Sequence, residues 1–370
     1  MSGPTAQDAD FMSEALIEGR KASCWAKPNP HVGCIVVRDD QIIARGFTQP
    51  AGGNHAEIMA LAACADPRGA TVYVTLEPCC HWGRTGPCVE ALIKAGVARV
   101  VVAIKDPNPE VAGQGIARLR EAGIAVDLGI GQAEAEQDLR GFLLRMRRGW
   151  GRVRVKLACS MDGKTAMASG ESQWITGPVA RRDVQRFRAA SSVIVTGVQT
   201  VLADDCSLTV REDALGWQGD ELQRALSRPP IRAVFDTHGR TPAGAKVLAG
   251  SAPTLLFTAQ GAVVPKAARQ YELPMVSGRL DVRAALHALG NEGANEILVE
   301  AGSTLSGALL KEGLVDELVL YQAPVILGAT AQPLLGIALE KLQEGVRLVY
   351  TDVSAMDRDL RIIAIPEKGS

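Results

Sequence analysis

Apolar and polar positions alternate in two distinct periods over the first 148 residues. Residues 8–22 place Phe11, Ala15, Leu16 and Gly19 on one face at helical spacing. Residues 32–38 and 41–46 are short strand-like runs with Asp39 and Asp40 between them, which predicts a hairpin. Helices are predicted over 55–65, 87–95, 112–122 and 132–147, and strands over 70–76, 99–104 and 124–128. Strands joined by helices imply a layered α/β sheet. Gly149, Trp150 and Gly151 follow Arg145, Arg147 and Arg148 and interrupt the pattern. A domain boundary is placed there, giving one domain over 1–148 and another over 150–370.

A second α/β pattern then starts with a strand over 152–159. A helix over 179–190 follows, with Pro178 in its first turn as helix starts favour. Short strands are predicted over 192–196, 231–236, 254–257 and 296–300, and longer ones over 316–327 and 346–353. Residues 211–228 are polar and predict an irregular surface excursion. A length of 370 residues fits two cores better than one.

Composition narrows the function classes. Hydrophobic residues are 47% and charged residues 22%, ordinary for a globular enzyme. Lys plus Arg is 40 against 41 Asp plus Glu, so no basic excess exists to hold a phosphate backbone, and nucleic acid is not expected as a partner. Residues 1–10 lack the basic start and apolar run of a signal peptide, and no apolar run is long enough for a membrane helix. A cytoplasmic protein is expected, with its eight cysteines as thiols or metal ligands. Cys24, Cys34, Cys64, Cys159 and Cys206 read as small buried hydrophobes.

The sharpest chemical pattern is His55-Ala56-Glu57, then Glu77-Pro78-Cys79, then Cys88. One imidazole and two thiolates suit Zn²⁺ and leave a fourth position for water, which the metal acidifies to near-neutral pKa. Glu57, two residues after His55, is placed to carry a proton from that water to a ring nitrogen and then to leaving ammonia. The pattern matches the zinc-deaminase motif H-x-E…P-C-x-x-C with one departure. Trp82 stands where the second cysteine is expected, and Cys88 lies nine residues after Cys79. A purely structural zinc site would have four protein ligands, which here would require His81 or Cys80 to serve. In the second half no G-x-G-x-x-G follows a predicted strand, but the strand at 296–300 runs into the Gly-rich turn Ala301 to Gly307. Such a turn, opening a helix, offers backbone N–H groups to phosphate.

The long loop from Glu77 to Cys88 resembles the insertion of the bacterial bifunctional riboflavin biosynthesis deaminase-reductases. So do Lys27-Pro28-Asn29-Pro30-His31-Val32-Gly33-Cys34 and Asp106-Pro107-Asn108-Pro109. The likeness continues through Ser160-Met161-Asp162-Gly163-Lys164, Ser172-Gln173-Trp174-Ile175-Thr176 and Val299-Glu300-Ala301-Gly302. It spans nearly the whole chain, with several motifs in the right order.

The resemblance implies a cytidine-deaminase-like three-layer domain followed by an α/β domain similar to dihydrofolate reductase. It implies Zn²⁺ on His55, Cys79 and Cys88 with Glu57 catalytic, and deaminase substrate beside Asn29, His81, Arg84, Asp106 and Asn108. In the second domain it implies NADPH against Ala158, Trp174, Thr200, Asp204 and the turn Gly302, Ser303, Thr304, Leu305, Ser306, Gly307 and Ala308. Substrate there would meet Ser172, Arg188, Leu208, Arg211 and Glu300. Arg188 and Arg211 would grip a ribose phosphate, with surface salt bridging as the plainer reading of each. Lys156 or Asp204 would supply the proton in reduction.

The implied reactions are deamination of 2,5-diamino-6-ribosylamino-4(3H)-pyrimidinone 5′-phosphate and NADPH-dependent reduction of 5-amino-6-(5-phosphoribosylamino)uracil to the ribityl compound, in an expected homo-oligomer. Two other classes stand beside this one. A nucleic-acid base deaminase is opposed by the net charge of −1, and a non-catalytic zinc scaffold gives Glu57 no purpose.

Overall fold

The computed structural model describes residues 5–82, 86–108 and 111–367. By its internal contacts the chain divides into two units, Met1–Gly151 and Arg152–Ser370.

In the first unit α1 (Ala6–Arg20) precedes β1 (Gly33–Arg38), β2 (Gln41–Phe47), α2 (Ala56–Ala62), β3 (Thr71–Val74), α3 (Cys88–Ala95) and β4 (Arg99–Val102). α4 (Gln114–Glu121), β5 (Ala125–Leu128), α5 (Gln132–Asp138) and α6 (Arg140–Arg148) follow. Thr5 and Asp8 close a capping box on α1. Asp39 and Asp40 have φ of 49° and 58°, the left-handed pair that a two-residue hairpin turn between β1 and β2 requires. The sheet order is β2-β1-β3-β4-β5, antiparallel on the β2 side and parallel from β3 to β5. Met12 and Leu16 pack with Ile35, Val72, Val100, Leu92 and Leu119 in one core. Asp8 is buried beneath it, accepting from Tyr73 Oη at 2.7 Å and from Arg99 Nη1 at 2.7 Å.

The single helix predicted over 132–147 is two helices broken at Leu139. Ala135, Leu139 and Leu143 are all buried at four-residue spacing, so the apolar pattern reads straight through the break.

The second unit contains β6 (Arg152–Ser160), β7 (Lys164–Ala166), α7 (Pro178–Ala190), β8 (Val193–Gly197), α8 (Val198–Asp204), α9 (Glu212–Leu215), α10 (Gly219–Ser227), β9 (Ile231–Phe235), β10 (Thr254–Thr258) and β11 (Arg269–Glu272). After β12 (Met275–Val276) and β13 (Arg279–Leu280) come α11 (Val282–Asn291), β14 (Glu296–Val299), α12 (Ser303–Lys311), β15 (Glu317–Ala323), β16 (Gln332–Pro333), β17 (Leu348–Met356) and β18 (Asp359–Pro366). The main sheet runs β11-β10-β9-β8-β14-β6-β15-β18-β17, parallel except for β18 and β17.

Two expectations change here. The polar stretch 211–228 is not irregular but forms α9 and α10, each anchored by one buried apolar residue, Leu215 and Ala225. The strand predicted over 316–327 stops at Ala323. Pro324 has no N–H to continue a ladder, and the Leu327 and Gly328 N–H groups bond to the Asp162 carboxylate at 3.1 and 2.8 Å.

Four charges lie across the middle of this sheet. Arg152 on β6 faces Glu296 on β14, Nε to Oε2 at 2.8 Å, and Arg154 on β6 pairs with Glu317 on β15. Their side chains are only 6–15% exposed, and Arg154 also covers the Phe187 ring. Among the described residues no helix is long and apolar enough to cross a membrane.

Candidate functional site

In the first unit the parallel strands β3 and β4 end beside each other, and Cys79 and Asp106 follow those ends. His55 is the residue before α2 and Glu57 sits in its first turn. Cys79 lies five residues beyond β3, and Cys88 opens α3. His55 Nδ1 is 3.5 Å from Cys79 Sγ and 3.4 Å from Cys88 Sγ, and the Cys88 N–H donates to Cys79 Sγ at 3.4 Å. The donor atoms of these three residues lie within 4.8 Å of one another, and they form the one such group among the described residues. Neither Cys80 nor His81 joins it.

The donor set fits zinc. Legs of about 2.3 Å to sulfur and about 2.0 Å to nitrogen subtend a tetrahedral N···S edge of about 3.5 Å, which the observed 3.4 and 3.5 Å match. Hydrogen bonding from Cys88, aided by His55, holds the Cys79 thiol well below its usual pKa, while the same bond and burial push Cys88 up. Burial raises the Glu57 carboxyl to about 7, with Cys79 adding to the rise and His55 opposing it. A carboxyl poised there both takes and gives a proton near neutral pH.

A cavity of about 340 Å³ opens on these groups. Asn29, His81, Asp106 and Asn108, all expected at the substrate, line it with His55, Glu57 and Cys79. His81 Nδ1 is buried with no hydrogen-bond partner among the described residues, a polar atom left for a ligand. Burial raises Asp106 to about 6, against the Asn108 N–H that it accepts at 2.8 Å. Arg84 lies outside the described residues. The sequence reading missed Thr48, Gly52, Gly53, Leu76, Val111 and Phe142 on the walls and Glu77 at the base. Glu77 stood inside a quoted motif, directly after the buried run Val72 to Leu76, which was the available sign that its carboxylate is buried too.

In the second unit two of the expected cofactor segments follow the carboxyl ends of the neighbouring parallel strands β8 and β14. β8 leads into α8, which carries Thr200 and Asp204, and β14 leads into the turn before α12. Ala158 lies near the end of β6, paired with Tyr321 on β15. A Cβ placed on Gly302 meets nothing within 4 Å, so the approach to the N–H groups of Ser303, Thr304 and Leu305 is open. The later part of the expected turn is different. Ser306, Gly307 and Ala308 lie inside α12. Ser306 is fully buried, and a Cβ on Gly307 would come within 3.1 Å of the Gly336 backbone. Ala308 is half-buried. Trp174 is largely exposed, with the Arg181 guanidinium 4.5 Å over its ring.

Among the expected substrate residues, Arg188 and Glu300 bind each other. Arg188 Nε and Nη2 reach the two Glu300 oxygens at 2.6 and 2.9 Å, and Nη1 donates to Thr209 O at 2.9 Å. The bidentate fork expected to hold phosphate is therefore turned onto a carboxylate. Burial pushes the Glu300 carboxyl up, but Arg188, Lys156 and Arg211 outweigh it and hold it below the usual range. Burial lowers the Lys156 ammonium against the pull of Glu300. The Leu208 side chain is in the core with Val198, Val201 and Val234. Ser172 is half-buried, and Arg211 and Asp204 are exposed.

Comparison with known proteins agrees with both halves. Residues 5–104 match the cytidine and deoxycytidylate deaminase zinc-binding region, and residues 152–362 match the RibD C-terminal domain. The riboflavin biosynthesis protein RibD of Escherichia coli (strain K12) is 46% identical over 360 residues, covering 96% of this chain and 98% of the relative. That of Haemophilus influenzae is 40% identical, covering 98% of both chains. The solved structure of Acinetobacter baumannii RibD superposes with a TM-score of 0.89 at 42% identity, covering 98% of this chain and 99% of that one. The diaminohydroxyphosphoribosylaminopyrimidine deaminase/5-amino-6-(5-phosphoribosylamino)uracil reductase of Thermotoga maritima does so at 0.86 with 30% identity, covering 97% and 98%.

Proposed function

The chain belongs to the bifunctional riboflavin biosynthesis family, with a deaminase and a reductase on one polypeptide, and from that premise we propose which residues carry each reaction. It is an enzyme of both activities and uses Zn²⁺ and NADPH. The deaminase is assigned to residues 1–148 and the reductase to 150–370, with the observed division falling after Gly151.

One arrangement carries the deaminase assignment. His55, Cys79 and Cys88 converge within 4.8 Å at a cavity whose wall includes the buried Glu57. These three residues hold the metal. Bound zinc supplies Lewis acidity toward water, and bound NADPH supplies reducing equivalents. Glu57 takes a proton from the attacking water as its oxygen bonds the ring carbon and passes it to the ring nitrogen; it then carries the proton left on that oxygen to the amino group, which leaves as ammonia as the carbonyl forms. Asn29, His81, Asp106 and Asn108 hold the aminopyrimidine, and His81 Nδ1 gains the partner it lacks among the described residues.

In the reductase, Gly302 to Leu305 take the cofactor phosphate at the start of α12. Ala158, Trp174, Thr200 and Asp204 flank the nicotinamide cofactor. Glu300, held in place by Arg188, accepts hydrogen bonds from the ribosyl hydroxyls, with Ser172 and the Leu208 backbone beside it. Arg211 grips the phosphate. Of the two candidate proton donors Lys156 is the better placed, because it is half-buried next to Glu300 while Asp204 is exposed. A homo-oligomer is part of the same proposal. β17 is one edge of the main sheet and exposes Leu348, Tyr350 and Val353, which suits a second copy.

Purified enzyme with the diaminopyrimidine substrate and NADPH should release ammonia and consume NADPH, and should carry about one zinc per chain. Cys79→Ser and Cys88→Ser should lose zinc and ammonia release, whereas Cys80→Ser should keep both. Zinc retained in Cys88→Ser but lost in Cys80→Ser would overturn the ligand set. Sedimentation showing only monomer would remove the oligomer.

A further inference from the structure

Glu77 has no role in the chemistry above, yet its carboxylate is among the most heavily bonded groups at the site. It is 3% exposed and accepts three backbone N–H groups: Asp106 at 3.2 Å, Gly113 at 2.9 Å and Ile116 at 3.1 Å. Gly113 is the residue before α4 and Ile116 lies in its first turn, and Asp106 belongs to the segment after β4 that lines the cavity. The Glu77 N–H also bonds to Ile104 O at 2.9 Å, just before that segment. Two residues along the chain from Glu77 is the zinc ligand Cys79.

We propose that Glu77 is a positioning residue for the deaminase, fixing the Asp106–Asn108 wall of the substrate cavity at its working distance from the metal ligands. The inference rests on the deaminase reading given above. Asp106 to Asn108 lie past the end of β4 and before α4, outside the sheet ladder, and among the described residues their backbone is otherwise tied down only at Asn108 O, which accepts from the Val111 and Ala112 N–H groups. Asp106 in turn orders Asn108 by accepting its N–H at 2.8 Å. Bonds therefore run from the Glu77 carboxylate to the Asp106 backbone, and from the Asp106 side chain to Asn108. The N-terminus of α4 is drawn to the same carboxylate, which complements the positive end of the helix. The approach is close as well as polar. A Cβ on Gly115 would come within 2.2 Å of Pro78 O, so a residue without a side chain is required where α4 meets the Glu77–Pro78 segment.

Glu77 touches neither metal nor substrate in this scheme, so its removal should change how substrate is held and leave the metal in place. Glu77→Gln keeps the shape but turns an NH₂ group toward N–H donors, so at least one bond is lost and replaced by repulsion.

The test uses the zinc-loaded full chain. Glu77→Gln should raise KM for the diaminopyrimidine by about tenfold or more, the ratio equivalent to one charge-assisted hydrogen bond. Its kcat, zinc content and reductase activity should stay near those of the unaltered enzyme. Amide exchange in the unaltered enzyme should show Asp106 and Gly113 protected although neither lies within a strand or helix, and Glu77→Gln should release them. An unchanged KM overturns the inference, and so does loss of zinc together with kcat, which would mean that Glu77 acts only through Cys79. If Glu77→Gln yields no folded protein, fast exchange at Asp106 and Gly113 in the unaltered enzyme overturns it alone, and protection there sustains it. Unaltered enzyme that releases no ammonia would refute the deaminase reading instead.

Discussion

Replacing Glu300 with Gln should destabilise the second unit sharply, and the structure sets the scale. The Arg188–Glu300 pair is bidentate at 2.6 and 2.9 Å, with both side chains 11% exposed. Removing one partner of a buried pair costs about 3–5 kcal/mol, because the remaining charge is stranded away from water. Here the stranded group is Arg188, and Lys156 adds a second cation beside it. With a urea m-value of about 3 kcal/mol per molar for a unit of this size, the midpoint should fall by about 1 to 1.7 M. Urea titration read by hydrogen exchange, using peptides from β8 and β14, isolates this unit, and peptides from β1 and β3 serve as an internal control. The double variant Arg188→Met, Glu300→Leu should recover most of the loss, since a matched apolar pair removes both charges at once. An unchanged midpoint in Glu300→Gln, or a double variant worse than either single one, would refute the pairing argument.

Glu57→Gln should lower deaminase kcat by about 10²–10⁴-fold with zinc retained and the reductase unaffected; an unchanged rate of ammonia release would end its proton-carrying role. Gly302→Val should raise KM for NADPH without lowering the melting temperature, because the added side chain enters open space that only a ligand would need. Asp8→Asn should cost about 2–3 kcal/mol in the first unit at neutral pH. Arg99 holds the Asp8 carboxyl well below its ordinary value, helped by Thr5 and Tyr73 against burial. That stabilisation is therefore complete above the unfolded pKa of about 4 and is lost as pH falls below it. Unfolding midpoints of Asp8→Asn should depend less on acid than those of the unaltered protein, and parallel profiles would contradict the assignment.

The deaminase site was legible in sequence because its chemistry is carried by rare residue types in local motifs. His55, Glu57, Cys79 and Cys88 announce a metal and a proton carrier, and the hairpin at Asp39 and Asp40 was readable from its turn residues. Interactions between distant segments were not legible. Nothing in the local pattern says that Arg188 meets Glu300 across 112 residues, so a residue expected to grip phosphate proves to be paired already. Leu208 gives no sign in its own neighbourhood that its side chain joins the core. The break at Leu139 was hidden because helical spacing survives on both sides of it. α9 and α10 were hidden because one buried residue each is too little periodicity to register.

The charged ladder through β14, β6 and β15 bears on how the second unit finds its strand register. Most strands of this sheet are short runs of Val, Ile and Leu that resemble one another, and burial alone would accept several alignments. β14 must dock on β6 after an excursion of 144 residues, with β8, β9 and β10 formed in between. A slip of one residue turns Glu296 to the wrong face of the sheet. Glu296 reaches both Arg152 and Arg154, at 2.8 and 3.8 Å, and Arg152 also lies 3.7 Å from Glu317, so a slip of two in either direction breaks part of a buried four-charge network. The four charges thus serve as an address, admitting one alignment among many that are equally greasy. Substituting leucine and methionine along the ladder would preserve the burial and erase the address.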